Sequence, residues 1–175
     1  MATDFDPDER YREDLDVREM QREVEAAEEQ LERNTRALAD VFIEFMERGD
    51  SVEVLVGRHR IAGQVSAVGA ELVTLDAGER RADISLAQLT GARVTAPKAG
   101  PGRAYEPAGA ETVVSRLREL AGAQAGTAAE LFGPSLEKVT GTVVAVSGGH
   151  IELVATAGEH WALPLSAIAV IVTTR

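Results

Sequence analysis

Five residues in this chain have the chemistry to hold a charged molecule: Arg58, His59 and Arg60 in the stretch "GRHR", and Arg80 and Arg81 in the stretch "GERR". A guanidinium presents planar donors that match carboxylates and phosphates, so two such stretches brought together would grip a phosphate backbone or an acidic protein face. Each stretch opens on a glycine between runs rich in Val and Leu, which is the pattern of a hairpin tip. In an antiparallel meander alternate tips lie at the same end of the sheet, and that places the two stretches side by side. Three uses fit such a cluster: plain solvated turns, a dock for the chain's own acidic segment, or a contact for an external partner.

Nothing in the sequence arranges an enzyme. His59, His150 and His160 are the only histidines, and no pair has helical metal-ligand spacing. His150 and His160 are candidates to face one another across strands, with Glu152 or Glu159 nearby, but a zinc site needs three convergent ligands. The absence of cysteine excludes disulfides, thiolate metal sites and thiol nucleophiles. "SGG" at 147–149 has no helix behind it and reads as a tight turn, not as a nucleophile elbow or phosphate loop. The expectation is a protein with no catalytic residues, no metal and no cofactor.

The elements that carry the arginines occur twice. "GQVSAVGAELVTLDAGERRADISLAQL" from Gly63 and "GTVVAVSGGHIELVATAGEHWALPLSAI" from Gly141 share one pattern. Gly63, Val65, Val68, Val73 and Leu75 meet Gly141, Val143, Val146, Ile151 and Leu153 at a constant spacing of 78. Ala77-Gly78-Glu79 meets Ala157-Gly158-Glu159 at 80, and Ile84-Ser85-Leu86 meets Leu163-Pro164-Leu165 at 79, so the slips fall at a turn. Two copies at this period predict two sibling domains and not a solenoid. In the first, alternating Val-rich runs predict strands near 51–56, 60–68, 72–76, 80–85 and 89–94, with Gly63 suited to a bend in the second. In the second, "TVVSRLRELAGA" reads as a leading helix, whereas "TAAELFGPSLEKVTG" is longer and less strand-like than the hairpin it replaces. Trp161, the single tryptophan, is expected to fill the second core or an interface between the domains.

Charge separates the N-terminal region from the repeats. Up to Asp50 there are 17 acidic and 7 basic residues, and beyond it 12 acidic and 11 basic, so the net charge of −11 is almost wholly N-terminal. Such a field repels phosphate backbones, which disfavours non-specific nucleic-acid binding by the whole chain. Residues 1–13 read as an acidic disordered tail. From 14 to 48 the apolar residues Val17, Met20, Val24, Leu31, Leu38, Val41 and Phe45 keep a heptad register, with Ala27 and Asn34 as weak positions. This helix either folds back over its own domains or pairs with a second helix; its last part, broadened by Phe42, Ile43 and Met46, is expected to pack on the first domain, and Gly49 to stop it. Residues 96–109, with Pro97, Pro101, Pro107 and several glycines, read as a flexible linker.

The order of helix, "VEVLVGRHRIAGQVSAVGAELVTL", acid-bearing turn and "DISLAQLTGARV" resembles the Sm-like fold, a helix followed by a strongly bent five-stranded barrel, as in degenerate Sm-like domains of bacterial proteins. The resemblance covers 37–94 well and 111–172 less well. It implies a mainly β chain with α: a long N-terminal helix and two small five-stranded Sm-like (SH3-like) barrels, each preceded by a helix. The barrels would occupy 49–95 and 110–175. As a class it also implies RNA binding and self-assembly. Sm-like proteins hold a uridine with an acidic residue after the second strand and an Asn on the third; here those positions are Gly69 and Val73, and in the second copy Ser147 and Ile151. The Arg-Gly pair before the last strand is missing from "LTGARV" and "IAVIV", so the uridine pocket does not carry over.

Two non-enzymatic functions follow. The first is an RNA-associated Sm-like regulator that makes contact through Arg58, His59, Arg60, Arg80 and Arg81. The alternative is a protein-interaction adaptor that uses the acidic helix for recognition and the barrels as scaffold or oligomerisation units. A homo-oligomer, most simply a dimer, is expected because both the heptad stripe and short strand edges need covering. No secretory signal or apolar span opens the chain, so the expected address is the cytoplasm, away from membranes.

Overall fold

The structure, a computed structural model, describes residues 38–105, 112–123 and 127–174. All of them belong to one unit spanning 35–175. Among the described residues two helices and ten strands follow in chain order. Helix α1 covers 38–48 and leads into β1 (Ser51–Val56), β2 (His59–Val68), β3 (Leu72–Ala77), β4 (Arg80–Ser85) and β5 (Gly91–Ala96). Helix α2 (Val113–Gly122) leads into β6 (Ala128–Phe132), β7 (Val139–Val146), β8 (His150–Ala155), β9 (His160–Pro164) and β10 (Val170–Thr174).

The five strands of each repeat do not stand as separate sheets. They make a single antiparallel sheet of ten, in the order β5-β1-β2-β3-β4-β10-β6-β7-β8-β9, whose two end strands do not pair with each other. The join is β10, the last strand of the second repeat, which lies between β4 of the first repeat and β6 of its own. Its side chains alternate between two cores, as strand geometry requires. Val170 and Val172 enter a cluster with Phe42, Val54, Leu75 and Ile84, whereas Ile171 enters a second with Leu117, Leu131, Ile151 and Leu153.

The duplication read from the sequence recurs in detail. β2 has a register shift between Val65 and Ala67, and β7 has one between Val143 and Ala145, so each second strand bends at the same point of the repeat. Gly63 allows a close approach, because a Cβ there would sit 2.6 Å from the carbonyl oxygen of Asp76. Short 3-10 turns at Leu86–Gln88 and Leu165–Ala167 precede the last strand of each copy. The first turn displaces the fifth strand to Gly91–Ala96 from the expected 89–94. The stretch read as less strand-like contains β6, which pairs on both sides.

Helix α1 docks by Phe42 and Met46, both buried, with Leu38 and Phe45 packed alongside. Of the described heptad positions, Leu38 and Phe45 pack on the core, whereas Val41 is 42% exposed. Val17, Met20, Val24 and Leu31 lie outside the described residues. Gly49 ends the helix at φ +70°, its N–H donating to the Met46 carbonyl. Helix α2 begins with a reciprocal cap: the Thr112 hydroxyl accepts from the Ser115 N–H, and the Thr112 N–H donates to Ser115 Oγ.

The Pro- and Gly-rich stretch after β5 is pinned over its first part. The buried carboxylate of Asp50 accepts from the Lys98 N–H at 2.9 Å and from Arg48 Nε at 2.9 Å. Gly100 N–H donates to the Gly49 carbonyl and Arg103 N–H to that of Met46. Within the stretch read as a linker, the backbone donors of Lys98, Gly100 and Arg103 are taken by the junction of α1 and β1.

Candidate functional site

The β1–β2 and β3–β4 turns lie at one end of the sheet because the strands between them are consecutive and antiparallel. Gly57 at φ +56° and Gly78 at φ +68° make the reversals, a backbone region that other residues rarely enter. Beside these turns opens a cavity of about 270 Å³, lined by His59, Arg60 and Arg80 from the first repeat and by Glu130, Phe132 and Lys138 from the second. Three of the five expected residues therefore converge, and they do so against the other half of the molecule.

Arg58 and Arg81 are placed elsewhere. Arg58 reaches across to Glu137 at 2.8 Å, with both side chains largely exposed. Arg81 points to the opposite face of β4 from Arg80, because neighbouring strand residues alternate. There its Nε meets Asp83 at 3.1 Å. Asp83 is 1% exposed and also accepts from the Thr74 hydroxyl at 2.7 Å and from Arg116 Nε of α2 at 2.7 Å. This buried carboxylate with three donors ties the second repeat's helix to the first repeat's strand. Burial acts against the Arg116 charge, but hydrogen bonds and attraction from Glu119 and Asp83 outweigh it and hold its pKa above the ordinary value.

The cations around the cavity pair within the chain, two to a carboxylate. Arg80 pairs with Glu130 at 2.5 Å, and Lys138 lies 3.6 Å from the same carboxylate. Arg60 lies 3.6 Å from Glu53, which Arg93 also engages at 2.9 Å. His59 packs its ring on Phe132, centroids 4.7 Å apart, and its buried Nε2 has no hydrogen-bond partner among the described residues. The first turn is seated on the second half: a Cβ on Gly57 would lie 2.9 Å from the Pro134 backbone.

Sequence reasoning found the arginines and missed Glu130, Phe132, Glu137 and Lys138. Those residues sit in the stretch where the repeat pattern is weakest, and their contact depends on β10 joining the halves. The histidine pair does not form: His150 stands opposite Pro164, and His160 opposite Val154. Among the described residues no three His, Asp or Glu are grouped to hold a metal ion. Trp161 fills neither a core nor an interface in the chain; it is 43% exposed on β9, an end strand, with its Nε1 donating to Glu159 at 3.3 Å. No described helix is long and apolar enough to cross a membrane.

No protein-family model matches the chain, and no curated protein matches it in sequence.

Proposed function

We propose that this protein is a non-enzymatic interaction adaptor in which the acidic N-terminal segment recognises a partner and the two Sm-like halves form the scaffold. One observation carries the reading: the arginines of the two turns are matched by carboxylates of the same chain. Arg58 faces Glu137, Arg80 faces Glu130 and Arg60 faces Glu53. A phosphate backbone would have to draw these arginines away from carboxylates they already engage. Here the large unmatched charge in the sequence is negative, 17 acidic against 7 basic residues up to Asp50. A basic protein surface is the complementary partner for such a segment.

The test compares three full-length or truncated proteins: wild type, a form lacking 1–31, and Arg58→Ala/Arg60→Ala/Arg80→Ala/Arg81→Ala. Each is titrated with single-stranded RNA at low salt, and each is tagged and recovered from its own cells after nuclease treatment. Flat RNA curves, together with partner recovery that the truncation abolishes and the arginine changes leave intact, are the expected result. RNA binding that the arginine changes abolish and the truncation strengthens would overturn the adaptor reading in favour of an RNA-associated protein.

A further inference from the structure

The cavity beside the two turns opens where the sheet parts. β2 pairs with β1 from His59 to Gln64, but with β3 only from Gln64 onward. His59, Arg60, Ile61 and Ala62 therefore have a strand on one side and the cavity on the other. Residues from both faces of β2 line it, because an edge without a neighbour leaves alternate side chains equally within reach.

The far wall is a row that crosses three strands. Ala82 of β4 stands opposite Val172 of β10, and Val172 opposite Glu130 of β6. Ala82, Val172 and Phe132 are buried, so the floor of the cavity is apolar. Part of the room is what Ala82 leaves: it stands opposite Leu75, and at the matching place of the second repeat Trp161 stands opposite Leu153. The first half has a methyl group where the second has an indole.

Charge around this floor is mainly positive. Arg60, Arg80 and Lys138 line the cavity with a single carboxylate, that of Glu130. Lys138 lies 3.6 Å from Glu130 and Arg60 lies 3.6 Å from Glu53, outside the cavity. At that length each contact is an attraction between charges and not a hydrogen bond, so it persists while the donors meet a second acceptor. In the same lining Nε2 of His59 is buried with no hydrogen-bond partner among the described residues. A bound molecule can complete such a group.

We propose that this cavity binds a small organic acid, a single carboxylate on an apolar body the size of one ring. The body rests on Ala82, Val172 and Phe132, and Arg60 and Lys138 take the carboxylate. Volume sets the size: a cavity of about 150 Å³ holds benzene, so the 270 Å³ here admits a ring with its carboxylate. Glu130 sets the charge, because a carboxylate in the wall repels a phosphate dianion more than a monoanion. It also shows what the lining cations accept, since Arg80 and Lys138 share it.

The probes are benzoate, benzyl alcohol, acetate and phenyl phosphate, each titrated into the full-length protein and followed through amide signals in two-dimensional NMR. Benzoate is expected to move the signals of 59–62, 80–82 and 130–138 to saturation. Benzyl alcohol lacks the charge and acetate lacks the ring, so each should bind about tenfold more weakly. Arg60→Gln and Lys138→Gln each remove one charged donor from an exposed side chain and should weaken benzoate about tenfold, with the remaining spectrum unchanged as the check on folding. Four results overturn the proposal: no saturable shift of these signals by benzoate, benzyl alcohol or acetate binding as well as benzoate, phenyl phosphate binding more tightly, or both charge variants binding benzoate like the wild type. Failure of partner recovery leaves these signals as they are, so the site and the adaptor function stand or fall separately.

Discussion

β5 and β10 are the same element of one repeat, yet one is the most exposed strand of the sheet and the other among the most buried. β5 reads "GARVTA" and β10 reads "VIVTT". The difference records what each strand has beside it. β10 has a strand on either side and a core on either face, so every position before its last two is a large apolar residue. β5 has β1 on one side only, and it carries a glycine, an arginine and two alanines. Duplication supplied two equal halves; the join between them made their edges unequal.

If the continuous sheet makes the halves one cooperative body, equivalent core cuts should cost alike. Leu75 and Leu153 occupy the same repeat position, and both are fully buried. Leu75→Ala and Leu153→Ala are each expected to lower stability by about 2–5 kcal/mol. Urea unfolding followed by circular dichroism should show one transition for both. Two transitions, one moved by each variant, would mean that the halves unfold separately despite sharing β10.

A smaller effect tests a feature that only one half has. Asp83 corresponds to Ala162 in the second repeat, so its cluster with Thr74, Arg81 and Arg116 has no twin. Arg116→Ala removes one of three donors from a buried carboxylate and should cost about 1–3 kcal/mol in thermal or chemical unfolding. A cost near zero in the wild type, and equally near zero in an Asp83→Asn background, would show that the tie between α2 and β4 contributes nothing to joining the halves.

The smallest effect concerns acid. The Lys98 N–H, followed by Arg48, holds the Asp50 carboxyl below its ordinary range. A depressed carboxylate stabilises the fold above its unfolded pKa of about 3.9, and that contribution is lost as pH falls through the lower folded value. Melting temperatures of the wild type and Asp50→Asn should therefore differ near neutrality and converge in acid. Parallel curves down to the acid limit would show that the pinned stretch after β5 does not depend on this charge.

Much of the β pattern was legible because its causes are local. Alternation in "SVEVLV" and "RRADIS", glycines at Gly57 and Gly78, and the Gly49 stop each act over a few residues. The repeat was legible too, with the bend in β2 that Gly63 suggested; β7 bends at the same point. What escaped were features decided by the join between the two repeats or by a missing neighbour. The β4–β10 pairing joins residues far apart in sequence and makes one sheet of the two repeats. Arg80 declared its charge, but Glu130 and Lys138 became its neighbours only through that join. Trp161 looked like core by residue type, and its exposure follows from the lack of a neighbour beyond β9. The Pro and Gly content of 96–109 suggested freedom, and it carried no sign that Lys98, Gly100 and Arg103 donate to Asp50 and to the carbonyls of Gly49 and Met46.

The central position of β10 also sets a timetable. Nine strands leave the ribosome before it, and until it arrives β4 and β6 each lack the neighbour that will hold them. The first-repeat core is open on the side that Val170 and Val172 will close, and the second lacks Ile171. Long-range pairing of this kind slows folding and leaves apolar edges uncovered meanwhile. A nascent chain halted before Val170 would therefore be a natural client for chaperones, and pairing of β10 with β4 and β6 would be the event that ends its dependence on them.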